Sequence, residues 1–165
     1  METTITLAAN AAIALSFIVA LVFGLAQVRA AARDRRERLT LETIRNFQTR
    51  EFAELLQSFS RGTMYSTRDD FYALPSAEQV LFIQLSQEME SLGILVAEGL
   101  IDLDLVDKTL GSFVSTAWEK SRPAILDMRE KNPDPYLAEY FQWLAERIDT
   151  RMRENPRPPY FENHA

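Results

Sequence analysis

The chain contains no cysteine, and its single histidine is His164, one residue from the C-terminus. The first absence excludes disulfides, thiolate nucleophiles and cysteine-ligated metals. The second removes the side chain on which most acid–base and metal sites depend. Glycine is scarce as well, with 5 in 165 residues. Phosphate loops and dinucleotide fingerprints need several glycines at fixed spacing, and none occurs. Ser86, Ser91 and Ser112 lack a histidine base, and no Gly-x-Ser-x-Gly elbow surrounds any of them. The chain is therefore expected to be non-catalytic and to hold no cofactor and no metal.

Positive charge is short overall. The formal net charge is −6, which argues against nucleic acid, whose phosphates demand Lys and Arg. Residues 39–165 hold 13 basic against 21 acidic side chains, a net of −8. From Asp69 to Asp107 there are nine carboxylates and no Lys or Arg. Asp102, Asp104 and Asp107 crowd one turn. A calcium loop would alternate its acids, place a glycine at the sixth position and close with a glutamate. Here large apolar residues interleave and that glycine is missing, so these acids read as complements to a helix N-terminus. Glu88 and Glu90 point to different faces of one helix. Glu88 reads as a core carboxylate with Arg122 or Arg129 as candidate partners.

Charge of either sign is absent over the 26 positions from Thr3 to Val28. At 1.5 Å per residue that stretch reaches about 39 Å as a helix, more than the roughly 30 Å of a bilayer's hydrocarbon core. A cleaved signal peptide would carry positive charge before a shorter apolar run, whereas Glu2 precedes this one. The expectation is a transmembrane anchor over 1–28. Arg29, Arg33, Arg35, Arg36 and Arg38 follow it directly. Positive flanks stay in the cytoplasm, which puts the N-terminus outside and the remainder inside the cell (inner) membrane; the arginines can also meet anionic headgroups. Within the span, Ala8, Ala12, Ser16, Ala20 and Gly24 recur every four residues. Such a ridge of small side chains lets two helices approach closely in lipid.

After the anchor, 29–48 reads as a basic juxtamembrane helix with Leu39, Leu41, Ile44 and Phe47 on one stripe. A cytoplasmic helical domain over 49–154 follows. Thr49 is an N-cap for a helix over 50–60 bearing Phe52, Leu55 and Phe59. A short turn is expected around 69–74. Ser76 caps a central helix to about Glu98, lined by Leu81, Leu85, Met89, Leu92 and Leu95 and widened by Val80, Phe82 and Ile83. Gly99 stops it. Asp102 caps a helix over 103–120 with Val106, Leu110, Phe113, Val114 and Trp118 inside, and Pro123 marks a new short helix or a kink. The break at Asn132–Pro135 precedes a last helix over 136–153. There Asp149 and Arg153 form an exposed i,i+4 pair. Residues 155–165 form a Pro-rich tail in which Tyr160 and Phe161 are candidate docking anchors. Trp118, with Arg122 one turn on, is a candidate aromatic–basic contact; its simpler role is core packing.

Glu88 with Leu92, Gly93 and Ile94, then Gly99 to Asp102, Trp118, Arg122, Pro123, Ile125, Arg129 and the Asn132 turn before Tyr136 together resemble a bacterial family of uncharacterised single-span membrane proteins with a small cytoplasmic helical domain. The likeness is detailed from Phe82 to Tyr136. It implies a fold and a topology and no activity. The expected fold is all-α: a span continuous with a juxtamembrane helix, then a compact bundle of four to five helices. The expected function is a non-catalytic accessory or scaffold subunit of a larger membrane complex. Respiratory and photosynthetic assemblies carry small subunits of this layout, an analogy of layout alone. The expected partners are other integral membrane proteins, the lipid bilayer, or a second copy. The last of these would make the chain a self-associating membrane sensor or regulator.

Overall fold

Alanine, leucine, isoleucine and valine dominate the N-terminal stretch, and they build one long helix, α1, Glu2–Asn46. The computed structural model describes residues 2–62, 65–131 and 134–162, with side chains throughout except at 2, 4, 5, 7, 8 and 11. Backbone contacts divide the chain into two units, Met1–Arg38 and Leu39–Ala165. The first unit is the N-terminal length of α1. Its apolar side chains stand in the open: Phe17 is 70% exposed and Phe23 64%.

The second unit is an all-helical bundle: α2 (Arg50–Arg61), α3 (Arg68–Ala73), α4 (Ser76–Ala97), α5 (Leu103–Lys131), α6 (Glu139–Glu154) and a closing 3-10 turn, Tyr160–Glu162. No strand occurs among the described residues. The last turns of α1, with Thr40 and Ile44, and Phe47 in the turn that follows are buried in this unit, and Phe47 meets Phe52 edge-on at 4.9 Å. α6 packs against both α4 and α5, and α2 lies on α4. Leu85, Met89, Val106, Val114, Phe141, Leu144 and Ile148 are fully buried at the centre. Among the described residues, two stretches are long and apolar enough to cross a membrane, Ala12–Asn46 and Ser76–Ala97. The second is α4, which turns Leu85, Met89 and Leu92 into the core.

Several boundaries follow from local chemistry as expected. Thr49 accepts the Phe52 N–H at 3.1 Å, and Asp102 accepts that of Leu105 at 3.1 Å. Gly99 takes a positive φ of 67°. There the Leu100 N–H reaches back to the Leu95 carbonyl and the Gly99 N–H to that of Val96, both at 3.0 Å. This Schellman closure favours a residue without Cβ.

Other expectations are corrected. Ser76 is the first helical residue of α4 and not its cap; Pro75 precedes it and no side chain caps that end. Pro123 neither starts a helix nor ends one: α5 runs through it to Lys131. Proline removes one i to i−4 bond, and here it lies on the exposed side of α5, where water can serve the Glu119 carbonyl. α6 begins at Glu139 and not near 136, after a turn over 135–138 that closes on Ala138 with φ of 58°. The break expected at Asn132 and Pro133 lies outside the described residues. Leu41, Val80, Ile83 and Phe113, assigned above to apolar stripes, are exposed. α4 is apolar around most of its circumference, and the bundle covers only one side.

Candidate functional site

Each sequence-predicted site residue falls on one of three surfaces. The first is the small-residue ridge of α1. Ala12, Ser16, Ala20 and Gly24 are all exposed, and the side chain of Ala8 lies outside those described. The Ser16 hydroxyl donates to the Ala12 carbonyl at 2.8 Å, so its polarity is met within the helix. A Cβ on Gly24 would meet nothing within 4 Å. The ridge is open from Ala12 to Gly24. Below it, Arg29, Arg33, Arg35, Arg36 and Arg38 are exposed, and Arg33 pairs with Glu37 at 2.8 Å.

The second surface is a groove of about 720 Å³ between α5 and α6. Trp118 lies at its base but is 3% exposed, its ring edge-on to Phe141 at 5.2 Å. Arg122 and Pro123 form one wall; Glu146 and Arg153 stand on the other. Asp149 accepts the Ser115 hydroxyl at 2.6 Å, so it faces α5 and not the open side expected for a pair with Arg153. The groove mixes charges of both signs and holds no nucleophile next to a base. Trp118 is thus held as a core residue, with Arg122 exposed above it.

The third surface is where α6 ends. Arg151 donates to Asp104 at 2.8 Å and approaches the buried Asp107 at 3.4 Å. Lys108, hydrogen-bonded to Asp104, holds that carboxyl below the usual range, and Arg151 adds to the effect. Asp102 caps α5 as expected, whereas Asp104 and Asp107 are engaged by Arg151 of α6. Among the described residues no group of His, Asp or Glu is arranged to hold a metal ion. Beyond Asn155 the tail carries Tyr160 and Phe161, 78% and 72% exposed.

Sequence reasoning missed the side chains that fix the helix ends. Glu90 of α4 accepts the Phe141 N–H at 2.8 Å and the Tyr140 N–H at 3.3 Å, at the start of α6. Arg129 donates to the Leu137 carbonyl at 2.8 Å and to Gln142 at 2.6 Å, at the entry to α6. Lys120 donates to the carbonyls of Phe59, Ser60 and Gly62 at the end of α2. Burial holds its ammonium below the ordinary lysine range, with Glu78 opposing. The one signal available was negative: Ala138 before α6 cannot cap it, so something else must.

Comparison with known families settles the kinship. Residues 12–148 match a family described as Domain of unknown function (DUF4760). The chain belongs to the DUF4760 family. No curated protein and no solved structure matches it. The DUF4760 match begins inside the apolar part of α1 and ends within α6. It takes in the whole stretch from Phe82 to Tyr136 on which the resemblance rested. It also takes in Trp118, Arg122 and the five arginines, and leaves out the tail with Tyr160 and Phe161.

Proposed function

We propose that this chain is a non-catalytic, membrane-anchored accessory or scaffold subunit of a bacterial inner-membrane assembly. It inserts α1 with the N-terminus outside and holds its acidic bundle at the cytoplasmic face. One observation carries the reading. Every large apolar side chain from Ile13 to Val28 stays about half exposed or more, with none of that stretch buried among the described residues. Contiguous apolar patches on soluble monomers rarely exceed a few hundred Å², and a bare apolar helix of this length goes far past that. Hydrocarbon is the solvent that suits it. The arginines from Arg29 to Arg38 support the orientation, and the open ridge from Ala12 to Gly24 supports a helical partner in the membrane.

The test is native purification in mild detergent, with identification of what accompanies the chain. Stoichiometric integral membrane proteins are the expected outcome, and a lone monomer would sink the subunit reading. The same ridge favours a second reading, a self-associating sensor or regulator. A cysteine at Ala20, unique in this chain, separates the two. Efficient self-crosslinking in membranes would favour a homodimer, and its absence beside co-purifying proteins would favour the subunit.

A further inference from the structure

Charge covers the bundle unevenly. Among the described residues, α2, α3, α5 and α6 each expose charged side chains, Arg50, Asp69, Lys108 and Glu146 among them. α4 exposes none: its exposed positions from Ala77 to Ile94 are Ala, Val, Ile, Gln and Ser. Its glutamates are only partly exposed, and Glu90 is turned onto the start of α6. Val80, Ile83 and Ile94 stand open on this uncharged face. The face also reads alike in both directions. Val80 and Ile94 lie seven residues to either side of Gln87, and Ile83 and Ser91 lie four. Seven residues are close to two helical turns, so Val80, Gln87 and Ile94 stand in line.

We propose that this face binds a second copy of the chain, α4 against α4, antiparallel about a two-fold axis at Gln87. In a contact of that symmetry residue i meets j and j meets i. Val80 of each copy then meets Ile94 of the other, Ile83 meets Ser91, and the two Gln87 side chains meet on the axis. An amide carries both donors and an acceptor, so that pair bonds reciprocally. Charge selects the occupant. Residues 39–165 carry a net of −8, and like charges across an interface oppose association. α4 is the face that two such bundles can bring together. A basic partner would be drawn to the acidic faces instead. A lipid surface favours helices with Lys and Arg beside the apolar face, and Ser76–Ala97 contains neither.

Shape agrees. Gln79 and Ala97 are 18 residues apart, five turns, and so share one edge of α4. At one end of that edge the Gln79 amide donates to the Tyr72 carbonyl at 3.3 Å, and Tyr72 is 58% exposed. At the other end a hollow of about 210 Å³ opens between Ala97, Glu139, Tyr140 and Trp143. An antiparallel two-fold exchanges the ends of that edge and keeps its side. Tyr72 of each copy therefore comes to the hollow of the other. The helix face, about 30 Å by 10 Å, buries about 300 Å² per copy before the hollow is counted. Stable interfaces bury about 800 Å² a side, so the association is weak and suits covalent capture better than sizing. The face lies wholly in the second unit and owes nothing to α1.

The chain has no cysteine, so single substitutions in the full chain, reconstituted into phosphatidylcholine vesicles, report the contact. Gln87→Cys is expected to give a covalent dimer under mild oxidation, and Glu119→Cys, exposed on α5, far less. Val80→Cys mixed with Ile94→Cys is expected to couple more than either alone, because antiparallel pairing joins unlike positions. Adding Ile83→Glu to Gln87→Cys sets like charges beside the axis and should lower coupling roughly tenfold, with the circular dichroism unchanged. A spin label on Ile83→Cys should be shielded from both lipid-soluble oxygen and a water-soluble nickel chelate. Equal coupling at 87 and 119 overturns the contact, and so does indifference to Ile83→Glu. Coupling of Val80→Cys or Ile94→Cys alone that matches the mixture overturns the antiparallel register. Free access of oxygen to the label means that lipid covers the face, and overturns it as well. Ala20→Cys keeps α1 apart from this outcome: coupling at 20 without coupling at 87 overturns the α4 contact and leaves a dimer through the span, whereas coupling at 87 alone supports it.

Discussion

Gly93 and Gly99 sit six residues apart and are glycine for different reasons. A Cβ on Gly93 would stand 2.3 Å from the backbone carbonyl oxygen of Tyr140, so α4 and α6 cross there in near backbone contact. A Cβ on Gly99 would meet nothing, but its φ of 67° is the left-handed region. The first is a packing constraint and the second a conformational one. Overpacking against backbone typically costs about 1–3 kcal/mol and can exceed that, whereas a non-glycine residue in the left-handed region costs about 1–2 kcal/mol. Gly93→Ala is therefore expected to destabilise more than Gly99→Ala, by shifting α6 off α4. Thermal unfolding followed by circular dichroism in mild detergent ranks the two; a Gly93→Ala protein as stable as wild type would mean that the helices do not cross this closely. Ala138 offers the converse. Its φ of 58° carries the left-handed strain, and Ala138→Gly is expected to be neutral or to stabilise by up to about 1 kcal/mol in the same assay, as the strain and the backbone freedom of glycine offset each other.

At the scale of elements, three helix ends are served by charged side chains from other helices, each with the sign that the helix dipole favours. Glu90 meets the N–H groups that open α6. Asp127 of α5 accepts the Arg68 N–H at 2.7 Å, at the start of α3. Lys120 of α5 sits on the closing carbonyls of α2. The partners are 51, 59 and at least 58 residues apart in the chain. Only folding unites them, which is why the sequence reading found the local caps at Thr49 and Asp102 and missed these. The α-helical periods and the glycine stop at 99 were legible because they are neighbour effects. The run of α5 through Pro123 was not, because a solvated side of a long packed helix tolerates a lost bond. Glu90→Gln keeps the shape and removes the charge, and should cost about 1 kcal/mol; Glu90→Ala should cost about 1–3 kcal/mol by orphaning two N–H groups. Asp127 gives these contacts a pH dependence. The Arg68 N–H and then Lys131 hold its carboxyl below the ordinary carboxylate range. The unfolded chain then binds the proton more readily, so this contribution is full above about pH 4, the unfolded value, and fades as pH falls through the lower folded value. Wild type and Asp127→Asn should therefore differ in melting temperature near neutrality and converge in acid. A constant difference down to strongly acid pH would remove Asp127 from that role.

The whole molecule divides its apolar surface between two solvents. The bundle hides its own inside, around Leu85, Phe141 and Ile148, and α1 leaves its own in the open from Ile13 to Val28. Membrane insertion of α1 can be weighed from the residues themselves. Twelve Leu, Ile, Phe or Val lie between Thr3 and Val28, and at about −0.3 to −0.6 kcal/mol each near a helix centre they supply roughly −4 to −7 kcal/mol. One arginine at the centre costs about 2.5–3.5 kcal/mol, which that sum can absorb. Two tip the balance, because the ten apolar residues left supply only about −3 to −6 kcal/mol against a cost of about 5–7 kcal/mol. Phe17→Arg alone is thus expected to leave most of the protein in the alkali-resistant membrane fraction. Phe17→Arg with Leu21→Arg should move it to the supernatant or leave it uninserted. The bundle supplies an internal control: its described core residues all lie at or after Leu39, so its helical signal and melting transition should survive the double substitution. If the doubly substituted protein still resists alkaline extraction with its bundle folded, hydrocarbon is not what holds α1. The exposed surfaces of α4, with Val80 and Ile83, or of the tail would then have to be the membrane contact instead.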